Sequence, residues 1–449
     1  MNNPTSNKRE QWSSKFGFIM SAAGSAVGLG NIWKFPYICG TNGGALFLIF
    51  YIAFVILLGY PILMTELAIG RNGEQNAVES CKKIHPKFGI AGGLGIAGSF
   101  AVLSYYCVVG GWVMKYLFAC ISGSIPESDY FSDYAAQTVE PIIWLCIFLI
   151  INALIVISGV SKGIERVSSI LLPLLLIFLF GIMIYSLSLP NAMTGVEFFL
   201  YPDFSAINGF SDIVSIAVKA LGQVFFSLSL GMGTLITYGS YLSRSTDLRK
   251  STATIVIIDT IIAVISGLTI LPAVFSMGLE PDEGAGLIFS TLTAVFNNLK
   301  GGTILAAVFF ALVLFAAITS AISLMEVIAA FLSERYKLSR KAAVWLPVIP
   351  IALICIAASL SFGGLSDFTI MGMNIFDLLI FISDQIIMPI GGFCLCILAG
   401  WLWKKEDMKK ELTSDSKFPF RMYSAFRFMI RYLSPAMIII VFISSFIMF

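Results

Sequence analysis

Charge is what this chain has least of. Only 12% of its 449 residues are Asp, Glu, Lys or Arg, against roughly 25% in soluble domains, while 58% are hydrophobic. A core surrounded by water cannot hide that much apolar surface, so lipid is the expected solvent for most of the molecule. Histidine is nearly missing. The one copy, His85, stands beside Pro86 in a basic loop, which leaves histidine chemistry no part to play. The eight cysteines lie mostly inside apolar runs, so no disulfide framework is indicated. Cys394 and Cys396 form a C-x-C, but on a helix they face different sides and read as inert. No nucleophile–base set and no metal-ligand spacing appears, so an enzyme finds no support. A net charge of +2 gives no reason to expect nucleic acid. The polar N-terminus, MNNPTSNKREQW, carries no cleavable signal pattern, and the first span is expected to persist in the mature chain.

What is there is long apolar sequence. Segments near 15–38, 44–70, 88–122, 141–160, 164–188, 213–243, 250–278, 301–334, 342–361, 374–403 and 422–448 are each long enough to cross a bilayer. The expected fold is an all-α polytopic membrane protein with eleven spans. A weaker apolar stretch, 284–297, is too short to span and is expected as a loop helix. Lys8, Arg9 and Lys15 precede the first span, and alternate loops thereafter are basic, ending with Lys404, Lys405, Lys409, Lys410, Lys417 and Arg421. The opposite loops carry Glu127, Asp129, Asp133, Glu140, Glu197 and Asp203, with Lys300 their single basic residue. The positive-inside rule then places the N-terminus in the cytoplasm and the C-terminus outside a plasma membrane.

Two spans are built to break. Residues 23–36 read AGSAVGLGNIWKFP, and residues 222–233 read GQVFFSLSLGMG. Unpaired backbone in hydrocarbon costs several kcal/mol per group, so a broken helix persists only where it lines a cavity or binds something. Such a break offers carbonyls to cations and half-helix N-termini to anions. Glycines in membrane helices also serve close packing. Two breaks with polar neighbours, in the first and sixth spans, fit corresponding positions of a five-plus-five inverted repeat and favour a binding site.

The segment GSAVGLGNIWKFP (24–36) resembles the signature of the neurotransmitter:sodium symporter family. GQVFFSLSLGMG (222–233), ITYGSYL (236–242), FAAITSAISLME (315–326), SKGIER (161–166) and KREQW (8–12) extend the resemblance over nearly the whole chain. Eleven spans resemble its shorter bacterial branch. The resemblance implies two sodium sites. One would use carbonyls of Gly24, Val27 and Ala316 with the hydroxyls of Thr319 and Ser320, although Thr319 and Ser320 taken alone also suit back-bonding to their own helix. The other would use Ala26, Asn31, Ser227 and Asp259 together with the substrate carboxylate. The implied substrate pocket comprises Ser25, Ala26, Gly28, Gly30, Val102, Tyr106, Phe226, Ser227, Ser229, Met232, Ser320 and Leu324, with Ala321 and Ser323 nearby. Family members that carry monoamines place an aspartate where this chain has Gly28. The expected cargo is therefore an α-amino acid bringing its own carboxylate, with a hydrophobic or aromatic side chain to suit Val102, Phe226, Met232 and Leu324.

At the outer gate Lys34 stands where the family has an arginine; an ungapped alignment puts Ile380 at the position of its acidic partner, with Asp377, the preferred partner, about one turn earlier and Asp384 about one turn later. At the inner latch Arg9 and Trp12 match the family, with Glu334 as ion-pair partner and Tyr241 and Glu326 as braces. Gly163 and Pro173 mark a weak start to the fifth span, where local unwinding would admit water. Tyr51, Gln223 and Ser227 match chloride contacts of animal relatives, but Asp259 replaces the family's asparagine and would supply a fixed negative charge, so no chloride is expected. The implied organisation is a cytoplasmic latch (1–14), a first repeat (15–188), an extracellular loop (189–212), a second repeat (213–403), a basic cytoplasmic loop (404–421) and a final helix (422–449). The expected function is sodium-coupled amino-acid import by alternating access. A substrate-binding sensor and a sodium-independent permease of the same fold are the alternatives.

Overall fold

The computed structural model describes residues 9–204, 209–279 and 287–447. Lys8, with the start of the N-terminal segment, and residues 284–286 of the short apolar stretch lie outside the described residues. Apart from one isolated bridge between Ile370 and Met373, regular structure among the described residues is helical.

Among the described residues eleven spans follow one another, the bent pair counted as one. The first, α1, is a bent pair, Lys15–Ala26 (α1a) and Gly30–Thr41 (α1b), meeting at 50°. Then come α2 (Ala45–Gly73), α3 (Pro86–Ile121), α4 (Glu140–Ile157) and α5 (Val160–Leu187). The sixth, α6, is split into Phe210–Ser227 (α6a) and Thr234–Gly239 (α6b). After it run α7 (Leu248–Ser276), α8 (Gly302–Tyr336), α9 (Arg340–Leu360), α10 (Ile375–Leu402) and α11 (Tyr423–Ser444). The short apolar helix Leu287–Asn297 stays between α7 and α8 without spanning. The broken spans lie five apart, at corresponding places of a five-plus-five inverted repeat.

Burial divides the spans by side. Ile56, Leu154, Ile177 and Leu353 are each more than half exposed, which water would not tolerate in such number and hydrocarbon does. Inward, α3 and α8 pack along each other and against the broken spans. Toward one end, Trp112 meets Phe131, Phe289, Phe362 and Phe376 in edge-on and tilted ring contacts 5.0–5.9 Å apart. This aromatic plug holds α3, α10 and the turn after α9 to the loop helices above the site.

Candidate functional site

The site begins with the two interruptions. In α1 the chain leaves helical geometry at Val27, with φ −73° and ψ 92°, and re-enters through a π turn, Gly30–Lys34. In α6 the break is enforced by backbone sign: Ser229, Gly231 and Gly233 have φ of +52°, +76° and +74°. At Gly231 a Cβ would also stand 2.5 Å from the Met388 carbonyl oxygen, so only glycine fits. The exposed amide of Gly231 is met by Glu66, a carboxylate buried in α2, whose Oε1 accepts at 2.7 Å.

Between the breaks, residues of α1, α3, α6 and α8 enclose a cavity of about 20 Å³ lined by Ser25, Ala26, Gly28, Gly30, Val102, Tyr106, Phe226, Ser229, Met232, Ser320 and Leu324. It has room for little more than a water, so a larger guest enters only as side chains part. Gly28 touches its polar wall: a Cβ there would lie 2.6 Å from both Ser320 Oγ and Tyr106 Oη. The Tyr106 hydroxyl accepts from Leu29 N at 2.8 Å, leaving its own proton to donate. Ser229 Oγ donates to the Ser25 carbonyl at 2.9 Å, and Ser25 Oγ donates to Ser323 Oγ at 2.7 Å. Ser320 Oγ lies 3.2 Å from the Gly24 carbonyl and 3.5 Å from that of Val27. Thr319 Oγ1 donates back to Phe315 and Ala316 carbonyls at 3.0 and 3.1 Å. Gly24, Val27, Ala316, Thr319 and Ser320 thus gather neutral oxygens where α1 unwinds against α8.

A second oxygen cluster is fully buried and contains one charge. Asp259 of α7 accepts from Asn31 Nδ2 at 2.8 Å, from Ser227 Oγ at 2.8 Å and from the Tyr51 hydroxyl at 3.3 Å. Asn31 Oδ1 and Gln223 Oε1 are buried and have no hydrogen-bond partner, while Gln223 Nε2 donates to the Gly30 carbonyl at 2.8 Å. A carboxylate beside an orphaned amide oxygen, hydroxyls and loop carbonyls is a donor set suited to a hard monovalent cation.

The pairing expected for Lys34 requires a correction. Lys34 Nζ pairs with Asp384 Oδ2 at 2.7 Å and lies 4.2 Å from the centre of the Phe226 ring. Asp384 is held by Ser383 Oγ at 2.7 Å and by the Tyr105 hydroxyl at 3.3 Å. Asp377, the partner expected from sequence, is exposed and closes the start of its own helix, where its amide donates to Asn374 Oδ1. The physical reason is depth: the two carboxylates are seven residues apart, so on a regular helix they share a face but stand about 10 Å apart along its axis, and it is Asp384, within the π segment Phe381–Ile387, that reaches Lys34.

At the other end Arg9 pairs with Glu334 and donates to Ser240 Oγ at 2.6 Å. Glu334 also accepts from the amide and side chain of Asn76. Trp12 Nε1 donates to the Tyr238 carbonyl at 3.0 Å, and its ring meets those of Tyr238 and Tyr241 edge-on. The Tyr241 hydroxyl donates to Glu326, which Arg340 also holds. Sequence reasoning missed four members of these networks: Glu66, Arg340, Glu10 and Glu165. Glu165 takes four bonds from Ser13 and Ser14, backbone and side chain, at 2.6–3.1 Å. Glu10 accepts from Val160 N at 2.7 Å. The start of α5 is a wound π turn, Val160–Glu165, rather than an unwound segment.

Comparison with known proteins places this geometry. The chain matches the Sodium:neurotransmitter symporter family over residues 9–139 and 136–449. A sodium-dependent transporter of Bacillus subtilis (strain 168) is 38% identical, the match covering 97% of this chain and 98% of that one. A sodium-dependent transporter of Haemophilus influenzae is 36% identical over 98% of this chain and 99% of its own. The crystal structure of MhsT in complex with L-phenylalanine superposes with a TM-score of 0.90 at 41% identity, over 97% of this chain and 100% of that one. The chain belongs to the sodium:neurotransmitter symporter family and is a sodium-dependent membrane transporter, not an enzyme.

Proposed function

We propose that the protein couples sodium to the uptake of an α-amino acid with a hydrophobic or aromatic side chain, by alternating access and without chloride. The observation that carries this reading is Asp259, a carboxylate buried among Asn31, Ser227 and Tyr51 beside an unpartnered amide oxygen. One sodium would sit among Ala26, Asn31, Ser227, Asp259 and the substrate carboxylate. The other would use Gly24, Val27, Ala316, Thr319 and Ser320, with Thr319 and Ser320 turning their hydroxyls from carbonyls to the ion. The permanent charge of Asp259 would take the role that chloride plays in animal relatives, since an adjacent cation favours the ionised carboxylate.

The substrate carboxylate would meet Tyr106 and the amides of the α1 break, and its ammonium the carbonyls near Ala26 and Phe226. Val102, Phe226, Met232 and Leu324 would receive the side chain, and the phenylalanine complex of MhsT supports an aromatic cargo. Lys34 and Asp384 would gate one side, and Arg9, Trp12, Tyr241 and Glu334 the other. The alternation of loop charge supports a cytoplasmic N-terminus and an external C-terminus, with repeats over 15–188 and 213–403.

Reconstituted uptake of labelled phenylalanine tests the proposal. Transport is expected to stop when choline replaces sodium and to continue when gluconate replaces chloride. Asn31→Ala is expected to weaken apparent sodium affinity about tenfold or more. Full transport without sodium, or stalling in gluconate, overturns the reading.

A further inference from the structure

Where α10 ends and α11 begins, two π turns face each other, Leu398–Leu402 and Met429–Leu433. They touch closely, for a Cβ at Gly400 would lie 2.8 Å from Arg431 Cα. That approach brings the Trp401 ring under Arg431, whose guanidinium carbon sits 4.2 Å from the ring centre and 5.4 Å from that of Tyr432. Trp401 Nε1 fixes the arrangement by donating to the Arg431 carbonyl at 3.1 Å. Stacking engages the face of the guanidinium and leaves its edges free. Among the described residues no acceptor meets the Arg431 N–H groups, and its Nε is buried without a partner.

Beside this stacked arginine lies an open cleft of about 330 Å³. Arg427, one turn earlier, and Lys405 line it with Arg431, and Ser424 adds a hydroxyl. Arg427 reaches only weak partners, the Tyr423 hydroxyl and the Gly400 carbonyl, both at 3.4 Å, and the Met408 sulfur at 4.0 Å. No carboxylate lines the cleft among the described residues, and none pairs with these three cations. Its outer wall is aromatic: Phe428 is 59% exposed and Tyr432 48%. Aromatic rings at the end of a span sit at headgroup level, and a basic pocket between spans at that level suits a lipid phosphate.

We propose that this cleft binds the headgroup of an anionic phospholipid, its phosphate accepting from the free edge of Arg431 and from Arg427 and Lys405. The acyl chains would leave past Phe428 and Tyr432 along α11. The same phosphate chemistry exists in free glycerol phosphate, and the aromatic outer wall is what favours the lipid.

Short-chain phosphatidylglycerol, phosphatidylcholine with the same chains, and glycerol phosphate are titrated into the purified full-length protein, with binding read by native mass spectrometry and thermal shift. Saturable binding of phosphatidylglycerol is expected, with neither other probe matching it. Arg427→Gln combined with Arg431→Gln is expected to weaken it about tenfold or more, while Lys417→Gln combined with Arg421→Gln leaves it unchanged. Arg431→Lys, which keeps the charge and loses the fork, is expected to fall between, and it carries the test if the double variant does not fold. Equal binding by wild type and the Arg431 variants, or of the two lipids, overturns the site. Equal binding of glycerol phosphate overturns the lipid assignment.

Discussion

One hydroxyl would serve twice at Tyr106: it accepts from Leu29 N in the α1 break, and under the proposed function its own proton would go to the substrate carboxylate. Tyr106→Phe is expected to leave a buried amide unmet and to raise the KM for amino-acid uptake about tenfold, the worth of one such hydrogen bond. Uptake kinetics at equal surface abundance check it. Gly28→Ala would press on Ser320 and Tyr106, and Gly28→Asp adds a charge facing the substrate carboxylate. The alanine variant is expected to keep weak uptake and the aspartate variant none. Equal uptake by both would contradict the proposed substrate orientation. The cavity lining was legible in sequence because all but Val102 and Tyr106 of its members lie in quoted motifs, and those two stand four residues apart on one helix face. The acidic partner of Lys34 was not, because Asp377 and Asp384 lie seven residues apart on one face of α10 and a residue count does not fix which of them stands at the depth of Lys34. Glu66 did leave a signal, a lone carboxylate inside an apolar run, but its partner is a backbone amide 165 residues further along the chain.

Among elements, hydrogen bonds join α1a to the start of α5 at one end of the bundle. Glu165 closes the first turn of α1a from outside, accepting the amides of Ser13 and Ser14 and both hydroxyls. Helix caps of this kind contribute about 1 kcal/mol. Glu165→Ala is therefore expected to speed amide exchange at Ser13–Phe18 several-fold, with no change in the centre of α8. Hydrogen-exchange mass spectrometry reads both segments in one experiment. The spans and the two breaks were readable from hydropathy and glycine placement. The π turns at the starts of α5 and α1b were not, because one extra residue in a turn changes no residue type. Gly163 and Pro173 raised the expectation of unwinding. In the structure the π turn accommodates the glycine, and Glu10 satisfies the first amide.

For the whole molecule, a fully buried ion pair ties the loop before α11 to the bundle. Arg71, at the end of α2, pairs with Glu411 of the loop helix Lys405–Thr413 at 2.5 Å, and their side chains are 1% and 2% exposed. Arg71 also donates to the Thr246 carbonyl at 2.8 Å. Removing one member strands the other, so Glu411→Ala is expected to cost about 3–5 kcal/mol, while Arg71→Met with Glu411→Leu is expected near neutral. Thermal unfolding of the purified variants separates the two outcomes.

The bond from Asn31 to Asp259 joins residues 228 positions apart. Chains are made from the N-terminus, so α1 emerges with a polar side chain whose partner has not been synthesised. An unmet amide in hydrocarbon is costly. The nascent first span must therefore stay near the insertion machinery, or in water, until α7 follows it into the bilayer. The first helix made is thus among the last to be completed.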